Sequence, residues 1–244
     1  MIIVATLLCD RKRSSWDIAI PHIMKMKILP EKPFEDTIFY ANIETFNGWE
    51  SENFMISLQE KYKVPIFYDI WSIHSSSWMD EIEYDQDQNR LDHIVIARNM
   101  CLALARNMKA DYIFFVDADV IVPPDALELL VQSGKKLIGG TVPGRGIHKH
   151  MKYIFGKKNI VEGDVVQANH GTLGCMLIHK DIFNYLSFRW GNALKSSALL
   201  SEDPAYCNDA KELFDEPFWI HTKVICGHWD DPEAPLTQQG VSKF

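Results

Sequence analysis

The chain has 244 residues, of which 47% are hydrophobic and 24% charged, with a formal net charge of −8. That length allows one α/β domain with a sizeable core, or at most two small ones, and the composition argues against disorder. The acidic balance argues against a nucleic-acid backbone as main partner, although a local basic patch could survive it.

MIIVATLLCD at the start has too short an apolar run, and the wrong flanks, for a signal peptide or membrane span. Ile2 to Leu8 reads as the first strand. Five cysteines without C-x-x-C spacing suit reduced thiols, so the expected compartment is cytoplasmic, with no transmembrane segment. Ser14 or Ser15 can cap a helix ending near Lys27, kinked by Pro21 or starting later. Asp36 to Ile43 is strand two, Ser51 to Tyr62 a helix, and Val64 to Ile70 strand three. This β-α-β-α-β alternation predicts a parallel sheet with right-handed crossovers.

Ser72 to Arg90 reads as a long acidic loop, either a lid or a solvated excursion. A helix from Asp92 to Lys109 follows, with Ala97, Met100, Cys101, Leu104 and Met108 on one face. Arg98 and Asn99 fall in its first two turns, where an arginine opposes the helix dipole. That placement fits either a surface residue or a working one.

Tyr112 to Val116 is a run of five apolar residues, as in a strand buried on both faces. It ends in Asp117 and Asp119, and Pro123-Pro124 then stops ladder pairing and starts a helix to Gln132. Ligands of open α/β sheets bind beyond the strand ends. Two carboxylates there make a hard oxygen site for Mn²⁺ or Mg²⁺ bridging a diphosphate, or else only an acidic turn.

Lys136 to Val142 is the next strand, followed by a glycine-containing loop with Arg145, His148, Lys149, His150 and Lys152. These cations could close over a diphosphate; the H-K-H spacing is a weak zinc signal. Lys152 to Phe155 and Val161 to Ala168 read as a hairpin, Cys175 to His179 as a strand, and Asp181 to Leu186 as a helix. Phe188 to Gly191 makes an aromatic turn. Ser201 is a good N-cap, with Glu202 and Asp203 in the first turn of its helix. Phe218 to Ile220 and Lys223 to Cys226 are short strands that deliver His228, a sound N-donor to Mn²⁺ if it is not structural.

Together these pieces resemble GT-A-fold glycosyltransferases, in particular single-domain family-2-like members. The resemblance rests on five motifs in order: ARN at Ala97 to Asn99, the strand ending in D-x-D, Gly139-Gly140 with GTLGCMLIHKDIF, SED before a helix, and a terminal GH. It implies a single α/β domain over residues 1-244, Rossmann-like, with a central mostly parallel sheet flanked by helices and a small antiparallel element. Residues 1-119 would bind the nucleotide-sugar, and 120-244 would bind the acceptor and carry catalysis. By position, Asp117, Asp119 and His228 would hold Mn²⁺ or Mg²⁺, and Asp203 would be the general base of an inverting transfer. The donor, a UDP- or GDP-type sugar, would meet Thr6, Asn42, Asp69, Arg98, Asp117 and Ala118. The acceptor, a glycan, lipid-linked or protein hydroxyl, would meet His170, Trp190 and Glu202. The N-terminal half departs from commoner members, with TLLCD after strand one and Asn42-Ile43-Glu44 ending strand two, which leaves the base open.

Two other classes share parts of this pattern. A haloacid-dehalogenase-type phosphatase also has a strand ending D-x-D, but its nucleophile usually lies near the start of the chain. A non-catalytic nucleotide-sugar or glycan-binding protein of the same fold would bind donor without turnover.

Overall fold

A computed structural model describes residues 1–9, 13–24, 26, 37–44, 48–62, 66–71, 86–142, 163–196 and 198–228. The first half winds as expected: β1 (Ile2–Cys9), α1 (Arg13–Met24), β2 (Thr37–Glu44), α2 (Gly48–Tyr62), β3 (Ile66–Trp71), α3 (Gln86–Asn107) and β4 (Tyr112–Val116). These four strands pair in parallel in the order β3-β2-β1-β4. Pro21 is accommodated inside α1. Helix α3 starts at Gln86, so the expected loop to Arg90 is shorter than the sequence reading put it. Residues 72–85 of that loop lie outside the described residues, as do 143–162, which include the cationic loop and the first arm of the expected hairpin.

Beyond Asp117 come β5 (Val120–Ile121), α4 (Ala126–Gln132), β6 (Leu137–Thr141), β7 (Val165–Ala168), β8 (Cys175–His179) and α5 (Lys180–Phe183). Then follow β9 (Gly191–Asn192), β10 (Leu199–Leu200), α6 (Glu202–Phe214), β11 (Phe218–Ile225) and β12 (Gly227–His228). Strand β8 inserts between β4 and β6, antiparallel to both, and the eight-stranded sheet runs β3-β2-β1-β4-β8-β6-β11-β7. Only β8 and β7 run against the others, so the sheet is mostly parallel and flanked by helices, with small antiparallel pairs beside it.

Two readings differ from the structure here. The two short strands expected after α6 are one strand, β11, with a register irregularity between Ile220 and Ile225. Strand β7, the second arm of the expected hairpin, pairs with β11 on the far edge of the sheet, and the first arm lies outside the described residues. The helix after β8, α5, is assigned only to Phe183, but its bonding runs on, with the Leu186 amide donating to the Ile182 carbonyl at 3.0 Å, and Arg106 on α3 satisfies the Phe183 and Leu186 carbonyls at 2.7 and 2.8 Å.

Strand alternation divides the core into two layers. One face carries Val4, Leu8, Phe39, Ala41, Phe114 and Val116 against Trp16, Ile20, Met55 and Leu127 from α1, α2 and α4. The other carries Ala5, Tyr40, Ile113, Phe115 and Met176 against Cys101, Leu102, Tyr206 and Ala210 from α3 and α6. Gly139 is required where β6 passes β8: a Cβ there would lie 2.5 Å from the Cys175 carbonyl oxygen. Among the described residues no helix is long and apolar enough to cross a membrane.

Candidate active site

Strand β4 ends in a tight turn, in which the Val120 amide donates to the Asp117 carbonyl at 3.0 Å. The Asp117 amide donates to the Gly174 carbonyl at 3.3 Å, which ties the turn to the approach of β8. Asp117, Ala118 and Asp119 therefore share one strand-end turn, with Ala118 and Asp119 each only 3% exposed. The small β5–β12 ladder sets the His228 backbone opposite Val120, next in sequence to Asp119. The His228 imidazole lies outside the described part of the structure.

Arg98 meets this turn from α3. Its Nη2 donates to Asp117 Oδ1 at 2.8 Å, and its guanidinium lies 5.1 Å from the centre of the Phe115 ring. Arg98 is 3% exposed, whereas the Asp117 side chain is 31% exposed. Burial works against the arginine's charge, but Asp117, Asp203 and Glu202 outweigh it and raise its pKa. Its Nε and Nη1 have no hydrogen-bond partner among the described residues. A buried donor left unmade is costly, so the cluster is built for charge as much as for stability.

Asp203 belongs to the same cluster. Ser201 stands as the N-cap of α6, although its side chain makes no capping bond, and Asp203 occupies the first turn. The Leu173 amide donates to Asp203 Oδ2 at 3.1 Å. Its Oδ1 is closed off from solvent and has no hydrogen-bond partner among the described residues. Burial, then Glu202 and Asp117, push the Asp203 carboxyl well above the usual carboxylate range, against the pull of Arg98 and the Leu173 amide. Glu202 is buried beside it, 8% exposed.

The register sets out a second group on the same sheet face. Asn42 pairs with Leu7 on one side and Asp69 on the other, and Ala5 pairs with Phe115, two residues before Asp117. Asp69, Asn42, Leu7 and Asp117 thus form a row across four neighbouring strands, roughly 14 Å long at the usual interstrand spacing. Asn42 Nδ2 donates to the Tyr40 hydroxyl at 3.3 Å, and that hydroxyl donates to Asp69 Oδ2 at 2.6 Å. Tyr40 was not singled out from sequence; the signal available was its alternation with Asn42 on one face of β2.

The structure does not bring the remaining candidates into this group. Thr6 lies on the opposite face of the sheet, in an apolar cavity lined by Val4, Ile20, Phe39, Met55 and Leu58. His170 is exposed on the segment after β7. Trp190 is half-buried, and its indole N–H donates to Asp92 Oδ1 of α3 at 2.7 Å.

Among the described residues, no three His, Cys, Asp or Glu side chains converge as a protein-only metal cage. The partly exposed Asp117 nevertheless offers a hard oxygen donor at a strand end, beside the buried Asp119, and such a donor suits Mg²⁺ or Mn²⁺ completed by substrate phosphates.

Comparison with known proteins agrees with this architecture. Residues 54–152, fewer than half of the chain, match the family described as glycosyltransferase family 25, N-terminal domain, a span that contains Arg98, Asp117 and Asp119. Similar solved structures include S. aureus TarS 1-349 in complex with UDP-GlcNAc (10% identity, TM-score 0.51, 100% of this chain and 62% of that one). GalNAc-T7 with UDP, GalNAc and Mn2+ is similar at 10% identity and TM-score 0.57, over 95% of this chain and 46% of that one. The mannosyltransferase PcManGT from Pyrobaculum calidifontis, in complex with GDP-Man and Mn2+, is similar at 10% identity and TM-score 0.56, over 92% and 55%. This chain thus spans less than two thirds of the length of each of these three. It has the fold of nucleotide-sugar-dependent glycosyltransferases, and part of it matches a glycosyltransferase family domain.

Proposed function

We propose that the protein is a metal-dependent, inverting glycosyltransferase that moves a sugar from a UDP- or GDP-type donor to an acceptor hydroxyl. The observation that carries this reading is the Asp203 carboxylate: enclosed, tied at Oδ2, free at Oδ1, and electrostatically linked through Arg98 to Asp117. A phosphatase with Asp117 as nucleophile is not favoured, since the matched family domain and the structural neighbours are those of glycosyltransferases. Four described cysteines are free thiols, which suits a reducing, cytoplasmic setting.

The row Asp69–Asn42–Leu7–Asp117 would seat the nucleoside at the Asn42 end and the diphosphate at the Asp117 end, so that residues 1-119 serve the donor. Asp117 and Asp119, with His228, would hold Mn²⁺ or Mg²⁺, which supplies charge neutralisation for the leaving diphosphate. Arg98 adds fixed positive charge beside the same turn. The Asp203 carboxylate would take the acceptor's proton, once acceptor binding gives it access, as the acceptor oxygen attacks the anomeric carbon from the face opposite the departing diphosphate. Glu202, Trp190 and His170 would line the acceptor side.

Asp203→Asn keeps the volume and removes the basicity. It should lower kcat by a factor on the order of 10² to 10⁴ with nucleotide affinity nearly unchanged. Only the ionised carboxylate can act as base, so wild-type kcat should rise with pH through a range above ordinary carboxylates, and the variant should lose that limb. The stability sign is opposite. A raised folded-state pKa means the stabilising form is the protonated one, lost as pH rises, so Asp203→Asn should melt at or above the wild-type temperature at neutral pH. Near-wild-type turnover in the variant, or an anomeric configuration retained in the product by NMR coupling, would refute the mechanism.

A further inference from the structure

Arg98 uses one nitrogen, Nη2, on Asp117 and leaves Nε and Nη1 without a partner among the described residues. Asp203 mirrors it: Oδ2 is taken by the Leu173 amide, and Oδ1 has no partner among the described residues. The two carboxylates are tied to consecutive residues. Leu173 donates to Asp203, and the next carbonyl, that of Gly174, accepts from the Asp117 amide. Those two anchors are only about 3.8 Å apart from Cα to Cα. Arg98 therefore stands between a carboxylate it holds and a second one within electrostatic reach.

The three side chains differ in access. Asp117 is partly exposed, Arg98 is buried, and Asp203 Oδ1 is closed off from solvent. A cation arriving from solvent can reach Asp117, but a guanidinium that gives up Asp117 has no way into water. A buried charge without a partner is strongly unfavourable, so a released Arg98 needs another carboxylate inside the enclosure. Among the described residues, Asp203 Oδ1 is the buried carboxylate oxygen that lacks a partner. The Phe115 ring, 5.1 Å from the guanidinium, attracts the cation without imposing one hydrogen-bond direction.

We propose that Arg98 is an exchangeable counter-ion, which holds Asp117 until a divalent cation takes that carboxylate and then passes to Asp203 Oδ1. The exchange rests on the metal-dependent transferase reading and adds an order of events to it. Arg98 reaches Asp203 only after the donor turn is loaded, and the positive charge stays inside the cluster throughout. A carboxylate oxygen has a second lone pair, so Asp203 can still accept a proton with Arg98 beside it.

The test uses the full chain. Mn²⁺ alone is titrated by EPR of the free ion, and UDP and GDP are titrated by calorimetry with and without Mn²⁺. Arg98→Met frees Asp117, so Mn²⁺ should bind about tenfold more tightly, the factor expected if Asp117 is open in about a tenth of wild-type molecules. Loss of one positive charge also favours a cation, and a double-mutant cycle with Asp203 separates the two causes. Asp203→Asn removes the place to which Arg98 moves. It should weaken Mn²⁺ binding about fivefold in the wild-type background and less than about twofold in Arg98→Met.

Equal Mn²⁺ affinity in wild type and Arg98→Met, or an Asp203→Asn effect that persists without Arg98, overturns the exchange. If UDP or GDP binding nevertheless requires Mn²⁺, the transferase reading stands without it. Nucleotide binding indifferent to Mn²⁺, with no Mn²⁺ bound by either protein, sinks the metal role and the exchange together. If Arg98→Met does not fold, arginine side-chain NMR with Mg²⁺ decides. The Arg98 guanidinium resonances should shift as Mg²⁺ saturates the wild type, and Asp117→Asn should show them shifted before any Mg²⁺ is added. Resonances that stay in place in the wild type overturn the exchange.

Discussion

The two faces of the central sheet are made by the same strands and differ by one residue in register, yet they hold opposite chemistry. The face under α1, α2 and α4 is apolar from Val4 through Phe39 and Ala41 to Phe114 and Val116. The face under α3 and α6 starts from a comparable core and then, towards the strand ends, turns polar: Asn42, Asp69, Asp117, Arg98 and Asp203. Only the second has unpaired buried donors and acceptors on charged side chains, at Arg98 and Asp203, among the described residues. One face supplies stability, and the other spends some of it on a charged site.

That contrast can be broken from either side. Phe114→Ala removes a fully buried ring from the apolar face and should cost about 3–5 kcal/mol in denaturant unfolding. If the faces divide labour, turnover at a temperature where the variant is folded should fall far less than its stability. Arg98→Met strikes the polar face. It removes the cation that Asp117, Asp203 and Glu202 share, so turnover should drop by a factor of about 10², and the carboxylates left without it should lower the melting temperature at neutral pH. A large loss of stability with turnover preserved would place Arg98 among the structural ion pairs.

A subtler probe is Thr6→Val on the apolar face. The Thr6 hydroxyl is buried with no hydrogen-bond partner among the described residues, so its removal should stabilise the fold by about 1 kcal/mol. Nucleotide affinity should be unchanged; a loss of affinity would extend the donor site through the sheet to Thr6. The smallest effect is expected far from both faces. Lys180, bonded to Asp111 at 2.7 Å, and the chain's amino group hold the Asp111 pKa down to about 2. A depressed carboxylate contributes stability above its unfolded pKa and loses it as pH falls towards the folded one. Asp111→Asn should therefore lower the melting temperature slightly at neutral pH, and the difference from wild type should vanish as the pH approaches about 2. Both residues are largely exposed, so the effect is screened and modest.

Local pattern was enough for the parts of this protein whose signal is contiguous. Tyr112–Val116 is a five-residue apolar run that can only be satisfied as a doubly covered strand, and it ends where the sequence puts its two acids. The β-α-β-α-β order and the Ser201 start of α6 were legible for the same reason: capping and periodicity are properties of neighbours. The tertiary structure decided what neighbours cannot. It inserted β8 against β4, so that the Gly174 carbonyl meets the Asp117 amide and Leu173 meets Asp203. It set Arg98 on Asp117 and Asn99 on Phe188, contacts separated by 19 and 89 residues. It also turned Thr6 away from the row of Asp69, Asn42 and Asp117. Alternation states that successive residues of a strand face opposite ways; which way each faces depends on the helices that cover the sheet, and those arrive from distant parts of the chain.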